Sequence, residues 1–235
     1  MRYCSGDEMI FGEEIALRYD EWYRTKWGRY ADELERRLIG KSLLLEKGDT
    51  LLDVGCGTGN YLIALSPDVA RAVGVDSSLP MLRVALSKTC QAENISLING
   101  DACDLPLKDG SVDVTLMVTS LEFFPCKERA IEEALRVTRR QIVIGSLNPL
   151  SLWWIWTRVK GIFRRTVYDG AELISPFRIR GMLKRADGRL DISMSFALYL
   201  PWPGGLSRLI ERFLGGTGLP FGGFAVVSAS KGAGR

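Results

Sequence analysis

The sequence predicts a doubly wound α/β fold. Three observations predict it. Short apolar runs alternate with helix-patterned segments from Thr50 to Gly145, the first run ends in a glycine loop, and two further apolar runs follow residue 189. The 235 residues, 46% hydrophobic and 25% charged, suit a single domain over 1–235 with a sizeable core.

Glu13 to Lys26 and Arg29 to Leu45 read as helices, the second from Leu34, Leu38 and Leu45 near helical spacing. Residues 13–45 are thus an expected N-terminal helical cap. Thr50 to Val54 is a short apolar strand, Tyr61 to Leu65 starts a helix, and Ala72 to Val75 is a second strand. Leu79 to Lys88 is a helix with Pro80 in its first turn, where proline is tolerated. Ile95 to Ile98 is the third strand. Val112 to Val118 is the fourth, apolar on both faces as a central parallel strand should be. Glu128 to Arg139 is a helix in which Glu132 and Arg136 stand at i, i+4, and Gln141 to Gly145 is the fifth strand. The alternation implies a parallel sheet with right-handed crossovers. Residues 147–174 then break the rhythm. Pro176 to Arg185 and Leu206 to Leu214 read as helices, Leu190 to Leu200 and Phe224 to Ser230 as the last strands.

Composition removes several chemistries. There is no histidine, which excludes Ser-His-Asp and Cys-His nucleophile systems and imidazole metal ligation. No catalytic metal is expected. No apolar run nears the ~18–20 residues that cross a bilayer. Met1 to Glu14 carries Asp7, Glu8, Glu13 and Glu14, unlike a signal peptide, so the expected compartment is the cytoplasm. Cys4, Cys56, Cys90, Cys103 and Cys126 form no C-x-x-C pair and are expected as reduced, mostly buried thiols. Residues 1–150 carry 18 Lys+Arg against 23 Asp+Glu, and residues 151–235 carry 13 against 5. The last third is either a solvated basic face or a surface for an anionic partner.

The most specific stretch is Leu51–Leu52–Asp53–Val54–Gly55–Cys56–Gly57–Thr58–Gly59–Asn60. A strand runs into three glycines and a helix opens, so backbone and helix N-terminal amides can approach a ligand closely. The spacing is G-x-G-x-G, not the G-x-G-x-x-G of dinucleotide enzymes. Asp53 precedes the glycines by two residues. A pyrophosphate is repelled by that charge and an ammonium group is held by it. Asp76 follows Gly55 by 21 residues, the distance at which an acidic side chain meets a ribose diol.

D-V-G-C-G-T-G, V-G-V-D-S-S and G-D-A resemble the signature elements of class I S-adenosylmethionine (SAM)-dependent methyltransferases, in the type 11 branch that includes ubiquinone/menaquinone methyltransferases. The resemblance covers about residues 50–146. It implies a Rossmann-like, doubly wound seven-stranded sheet, mostly parallel with the last strand antiparallel, and SAM as cofactor with S-adenosylhomocysteine as product. It implies that Gly55, Gly57 and Gly59 line the methionine moiety and that Asp53 lies near its amino group. Asp76 would hold the ribose hydroxyls, Ser77 and Met81 would flank the adenosine, and Asp101 and Ala102 would meet the adenine edge. Val118 and Thr119 would contact the cofactor through backbone. Tyr19 and Tyr23, in Y-D-E-W-Y, resemble the N-terminal helix that folds over SAM; ordinary helix packing is the alternative.

The chain departs from that pattern after the fourth strand. Relatives commonly carry histidines there, and this chain reads Ser120–Leu121–Glu122–Phe123–Phe124–Pro125. Glu122 stands where one histidine would be, as a general base, a substrate anchor or a solvated side chain. An N-P-P-Y motif is absent.

Residues 147–174 are the expected substrate-side insertion. From Ser151 to Arg165, Leu152, Ile155, Trp156, Val159, Ile162 and Phe163 form a helical stripe of roughly 120°, with Arg158, Lys160, Arg164 and Arg165 opposite. Trp153 and Trp154 fall outside the stripe. Three readings stay open: packing on the domain, a lid whose Trp residues line an apolar substrate pocket, or peripheral contact of 151–165 with an anionic membrane. The expected partner is a small apolar or amphiphilic acceptor, lipid- or quinone-like. Nucleic acid is not expected, since no accessory RNA-binding domain is visible. Three rivals remain: a SAM-binding regulator without transfer, an RNA methyltransferase, and a nicotinamide oxidoreductase, against which the glycine spacing and Asp53 speak.

Overall fold

A computed structural model describes residues 11–151, 171–200 and 202–232. The strands are β1 Thr50–Val54, β2 Arg71–Asp76, β3 Ile95–Asn99, β4 Val112–Val118, β5 Thr138–Leu147, β6 Asp191–Ala197 and β7 Phe224–Ser230. They form one seven-stranded sheet in the order β3-β2-β1-β4-β5-β7-β6. β1 to β5 pair parallel, and β7 lies antiparallel to both β5 and β6. This is the mixed, doubly wound sheet that the sequence predicts.

Period-two alternation sends successive side chains of each strand to opposite faces, and both faces are covered. The helices are α1 Glu13–Arg18, α2 Glu21–Arg24, α3 Lys26–Ser42, α4 Asn60–Leu65, α5 Leu79–Thr89, α6 Lys127–Val137, α7 Pro176–Ala186 and α8 Gly205–Leu214. On one face, Leu52, Val54, Met117 and Ile144 pack with Ile131 of α6 and Leu183 of α7. On the other, Leu51, Leu116, Val143 and Val226 pack with Leu34 and Leu38 of α3, Leu62 of α4 and Leu82 of α5. Asp53 falls on the second face, two residues beyond Leu51 near the end of β1.

Several boundaries differ from the sequence reading for local reasons. The single helix expected over 13–26 is two short helices, and α3 begins earlier, at Lys26. Thr25 makes the break: its Oγ1 accepts from the Gly28 N–H at 2.9 Å as an N-cap and donates to the Trp22 carbonyl at 2.8 Å. A Cβ on Gly28 would lie 2.0 Å from that carbonyl oxygen, so the corner closes only with glycine. Leu45 falls outside α3. The Glu132–Arg136 pair does not form. Arg136 binds Glu133 and Asp109, each at 2.6 Å, and donates to the carbonyls of Leu105 and Leu107 in the loop before β4. Glu132 faces Arg129 instead.

The cysteines also require a correction. Cys103 and Cys126 are joined by a disulfide across 23 residues, because the loop after β3 and the start of α6 meet at the same end of the sheet. Cys56 is buried and free, and Cys90 is exposed and free.

Candidate functional site

The loops that leave the C-terminal ends of β1 to β4 converge where the strand order reverses, between β1 and β4. That is where open α/β sheets bind ligands. They enclose a cavity of about 410 Å³, within the range of small-molecule sites.

The glycine loop after β1 forms its floor. Gly55 takes φ 74° and Gly57 φ 54°, the left-handed region that favours glycine. A Cβ on Gly55 would stand 2.5 Å from the Ser120 Cβ, and the Ser120 hydroxyl donates to the Val54 carbonyl at 2.9 Å. The ends of β1 and β4 are thereby pinned together. Around Gly57 a Cβ would meet nothing within 4 Å, so this residue presents bare backbone to open space.

Asp76, at the end of β2, fixes the loop. One carboxylate oxygen accepts from the Gly57 N–H and the other from the Ser78 N–H, both at 2.8 Å. Burial pushes its carboxyl above the usual aspartate range, against the pull of those two amides. Asp53 is only 3% exposed and lines the cavity, and among the described residues no hydrogen-bond donor reaches it. Burial first, and the neighbouring Asp76 second, raise its carboxyl to about 7. An uncompensated carboxyl facing a cavity complements a cation.

The far wall comes from Gly100, Asp101 and Ala102 after β3 and from Val118, the last residue of β4, with Thr119 and Ser120 beyond it. Asp101 accepts from the Cys103 N–H at 2.9 Å, and the Cys103–Cys126 disulfide ties this wall to the segment after β4. Thr119 holds φ 47°, sparsely populated for a threonine, and its N–H donates to the Gly145 carbonyl at 2.8 Å.

The roof is the N-terminal cap, held down by contacts far apart in sequence. The Ser78 hydroxyl donates to the Phe11 carbonyl at 2.7 Å, and the Phe11 ring packs edge-on to Phe123 with centroids 4.9 Å apart. Asp20 is the main tether. It accepts from Thr58 at 2.8 Å and Asn60 at 3.0 Å in the glycine loop, and from Lys88 of α5 at 2.7 Å. Lys88 in turn reaches Asn60 Oδ1 at 2.6 Å. Partial burial opposes ionisation of Asp20, but the bonds from Lys88, Thr58 and Asn60 outweigh it and hold the carboxyl below its usual range. Burial pushes the Tyr19 phenol up despite a hydrogen bond with Tyr23, so at neutral pH it is a protonated donor.

A second cavity of about 540 Å³ adjoins the first. Phe11, Tyr19, Tyr23, Thr119 and Phe123 line both. Ile15 and Trp22 extend the second with apolar surface, and Glu14, Arg18 and Glu21 stand at its edge.

Of the residues expected to meet the cofactor, Asp53, Gly55, Gly57, Asp76, Ser77, Met81, Asp101, Ala102, Val118, Thr119, Tyr19 and Tyr23 all line the first cavity. Gly59 does not. It caps α4 at φ 78°, and a Cβ there would press on Ala85 of α5 at 3.3 Å, so its part is helix packing. Glu122 is neither solvated nor in a cavity wall. It is 2% exposed beneath the site; one carboxylate oxygen accepts from the Leu147 N–H at 3.0 Å, and the other is buried without a hydrogen-bond partner. Burial raises its carboxyl to about 7. Trp153, Trp154 and the expected helix over 151–165 lie outside the described residues beyond Ser151. Sequence reasoning missed Phe11, Asp20, Thr58, Asn60, Lys88 and Phe123. Only Thr58 and Asn60 carried a signal, as polar neighbours of the glycines.

A glycine cradle, a buried carboxyl with no cation, and a second carboxylate at the end of β2 thus converge on one cavity of the doubly wound sheet. Residues 52–143 match a family model described as a methyltransferase domain. A stretch of 107 residues is 38% identical to the demethylmenaquinone methyltransferase of Staphylococcus aureus strain JH9, over 44% of each chain. This match spans under half the length of that relative. Among solved structures, a SAM-dependent methyltransferase of Thermotoga maritima, described as a possible histamine N-methyltransferase, superposes with a TM-score of 0.74 at 24% identity, over 94% of this chain and 98% of that one. The cyclase SpnF superposes at 0.65 with 18% identity, over 90% of this chain and 85% of that one. These likenesses establish the shared fold.

Proposed function

We propose that this protein binds SAM in the first cavity and transfers its methyl group to a small apolar or amphiphilic acceptor, quinone-like in shape, held in the second. The observation that carries the reading is the pairing of two unlike cavities through shared walls. One has buried carboxyls and bare glycine backbone, and the other has aromatic and aliphatic sides. The residues present fit the cofactor. Asp53 lacks a cation that an α-ammonium group supplies, Gly57 leaves room for a ligand at the main chain, and Asp76 stands at the strand end where ribose hydroxyls are held.

Bound SAM supplies an activated methyl on a sulfonium, so the chain need not generate a nucleophile from histidine. What the chain's residues do is bind, orient and exclude water. Asp53 neutralises the ammonium of the ligand's amino-acid end, and the bare main chain at Gly57 lets that end lie close against the loop. Asp101 and Ala102 close the far side. The cap, tethered through Asp20, covers the first cavity and excludes water from it. Tyr19, in both walls and protonated, donates a hydrogen bond at the junction where the acceptor enters. The demethylmenaquinone methyltransferase likeness and the aromatic second cavity together favour a flat, apolar acceptor.

Two assays test this. Calorimetric titration with S-adenosylhomocysteine is expected to give the micromolar affinity typical of enzyme ligands. Methyl transfer from labelled SAM to a panel of hydroquinones, fatty acids and small amines is expected to be fastest with the hydroquinones. Absence of binding by well-folded protein refutes the cofactor; binding without transfer to any acceptor favours a regulator that senses SAM.

A further inference from the structure

Helix α8 is apolar on two sides: Ile210 and Leu214 pack inward against Phe196, Tyr199 and Ala225, and a second apolar stripe faces outward beside a buried polar pair. Its polar residues Ser207 and Glu211 are buried, at 0% and 6% exposure, while Leu206, Leu209 and Phe213 stand at 65%, 51% and 72%. At 100° per residue the three apolar side chains fall within about 60° of arc. Trp202 before the helix and Leu219 and Phe221 after it are also about half exposed. A surface helix normally buries its apolar stripe and wets its polar one. The inward polar side here is anchored: Glu211 Oε1 accepts from the Tyr199 N–H at 2.5 Å, so the helix cannot simply roll over.

The charges beside this stripe have one sign. Arg208 and Arg212 lie on its flank facing α3, where Lys41 joins them around a cleft. Among the described residues none of these three makes an ion pair. The two acids nearby are spent elsewhere, since Glu33 binds Arg37 at 2.8 Å and Glu211 is buried. An apolar stripe edged by uncompensated cations matches the boundary of an anionic lipid layer, where acyl chains take the former and phosphates the latter. A second copy of this chain would bring more of the same uncompensated cations.

We infer that the α8 face is a peripheral membrane-binding surface for anionic phospholipid. The face is built from residues other than 151–165 and does not depend on the methyl-transfer reading. It places the protein at a lipid surface whichever acceptor it uses.

Sedimentation with vesicles tests it, comparing phosphatidylcholine alone with an equal mixture of phosphatidylcholine and phosphatidylglycerol. The wild-type chain is expected to sediment with the mixed vesicles, less with phosphatidylcholine, and less as salt rises. L209D/F213D is expected to lose at least about tenfold in partitioning, with its unfolding midpoint unchanged because both side chains are exposed. R208E/R212E is expected to lose about fivefold or more per cation and to flatten the salt dependence. Equal sedimentation of wild type and L209D/F213D overturns the inference. So does a wild type that ignores the vesicles but forms a dimer by sedimentation equilibrium that L209D/F213D dissolves; the stripe is then a self-association surface.

Discussion

Asp53 sets the sharpest test, because its carboxyl is held at about 7 with no cation beside it. If Asp53 holds an ammonium group, binding requires the carboxylate. At pH 5 about one molecule in a hundred has it ionised, and at pH 7.5 about three in four. Affinity for S-adenosylhomocysteine is therefore expected to rise roughly 75-fold over that interval, about 2.5 kcal/mol. Near pH 6, calorimetry in buffers of different ionisation enthalpy should show close to one proton released per ligand bound. Asp53→Asn keeps the shape, removes the titration, and is expected to bind weakly with a flat profile. A wild-type affinity that does not change with pH refutes the reasoning. So does an Asn variant that keeps the wild-type slope, which would transfer the titration to Asp76.

Asp76→Ala removes both acceptors that position the Gly57 and Ser78 amides, and is expected to weaken S-adenosylhomocysteine binding by at least ~100-fold, or roughly 3 kcal/mol, by calorimetry. Asp20→Ala frees the cap from the glycine loop and α5; the SAM KM is expected to rise about tenfold, with faster proteolysis around residues 11–25. Glu35, Asp53 and Glu122, raised by burial to about 8, 7 and 7, retain protons in the folded state that the unfolded chain releases at lower pH. Stability without ligand should therefore fall as pH rises from about 4 to 8, at ~1.4 kcal/mol per proton per pH unit, and Glu35→Gln should flatten part of the fall in a thermal melt series. Reducing Cys103–Cys126 opens a 23-residue separation, and a chain-entropy account expects a loss of about 3 kcal/mol in denaturant titration; an unchanged midpoint would show the walls are held without it.

What could be read from the chain follows the range of the interactions involved. β1, β4 and β7 carry their bounds in apolar runs that end at glycine or polar residues, so local pattern suffices. The glycine loop and Asp76 are likewise legible, because backbone turn and strand end lie within 25 residues. The tether is not. Asp20 meets Lys88 across 68 residues, and nothing local distinguishes that aspartate from a solvated one on a helix. Glu122 illustrates the converse error. Its neighbours Phe123 and Phe124 line the cavity while it turns under the floor, and one residue's change of direction cannot be read from a short turn after a strand. The disulfide depends on two loops meeting above the sheet, and sequence spacing contains no trace of that.

The slot that β7 fills has a consequence for the order of assembly. β5 and β6 do not touch as neighbours; Phe224–Ser230 lies between them, hydrogen-bonded on both sides, and the Gln141 side chain donates to the Ser228 hydroxyl at 2.8 Å. On a ribosome β1 to β5 emerge able to pair, but β6 has no place to dock until residue 230 is free. The half-built sheet waits with the β5 edge open, a template for another chain's strand. Folding speed is then governed by the longest wait rather than by the glycine-loop half. A nascent chain stalled before residue 224 is the form most exposed to aggregation.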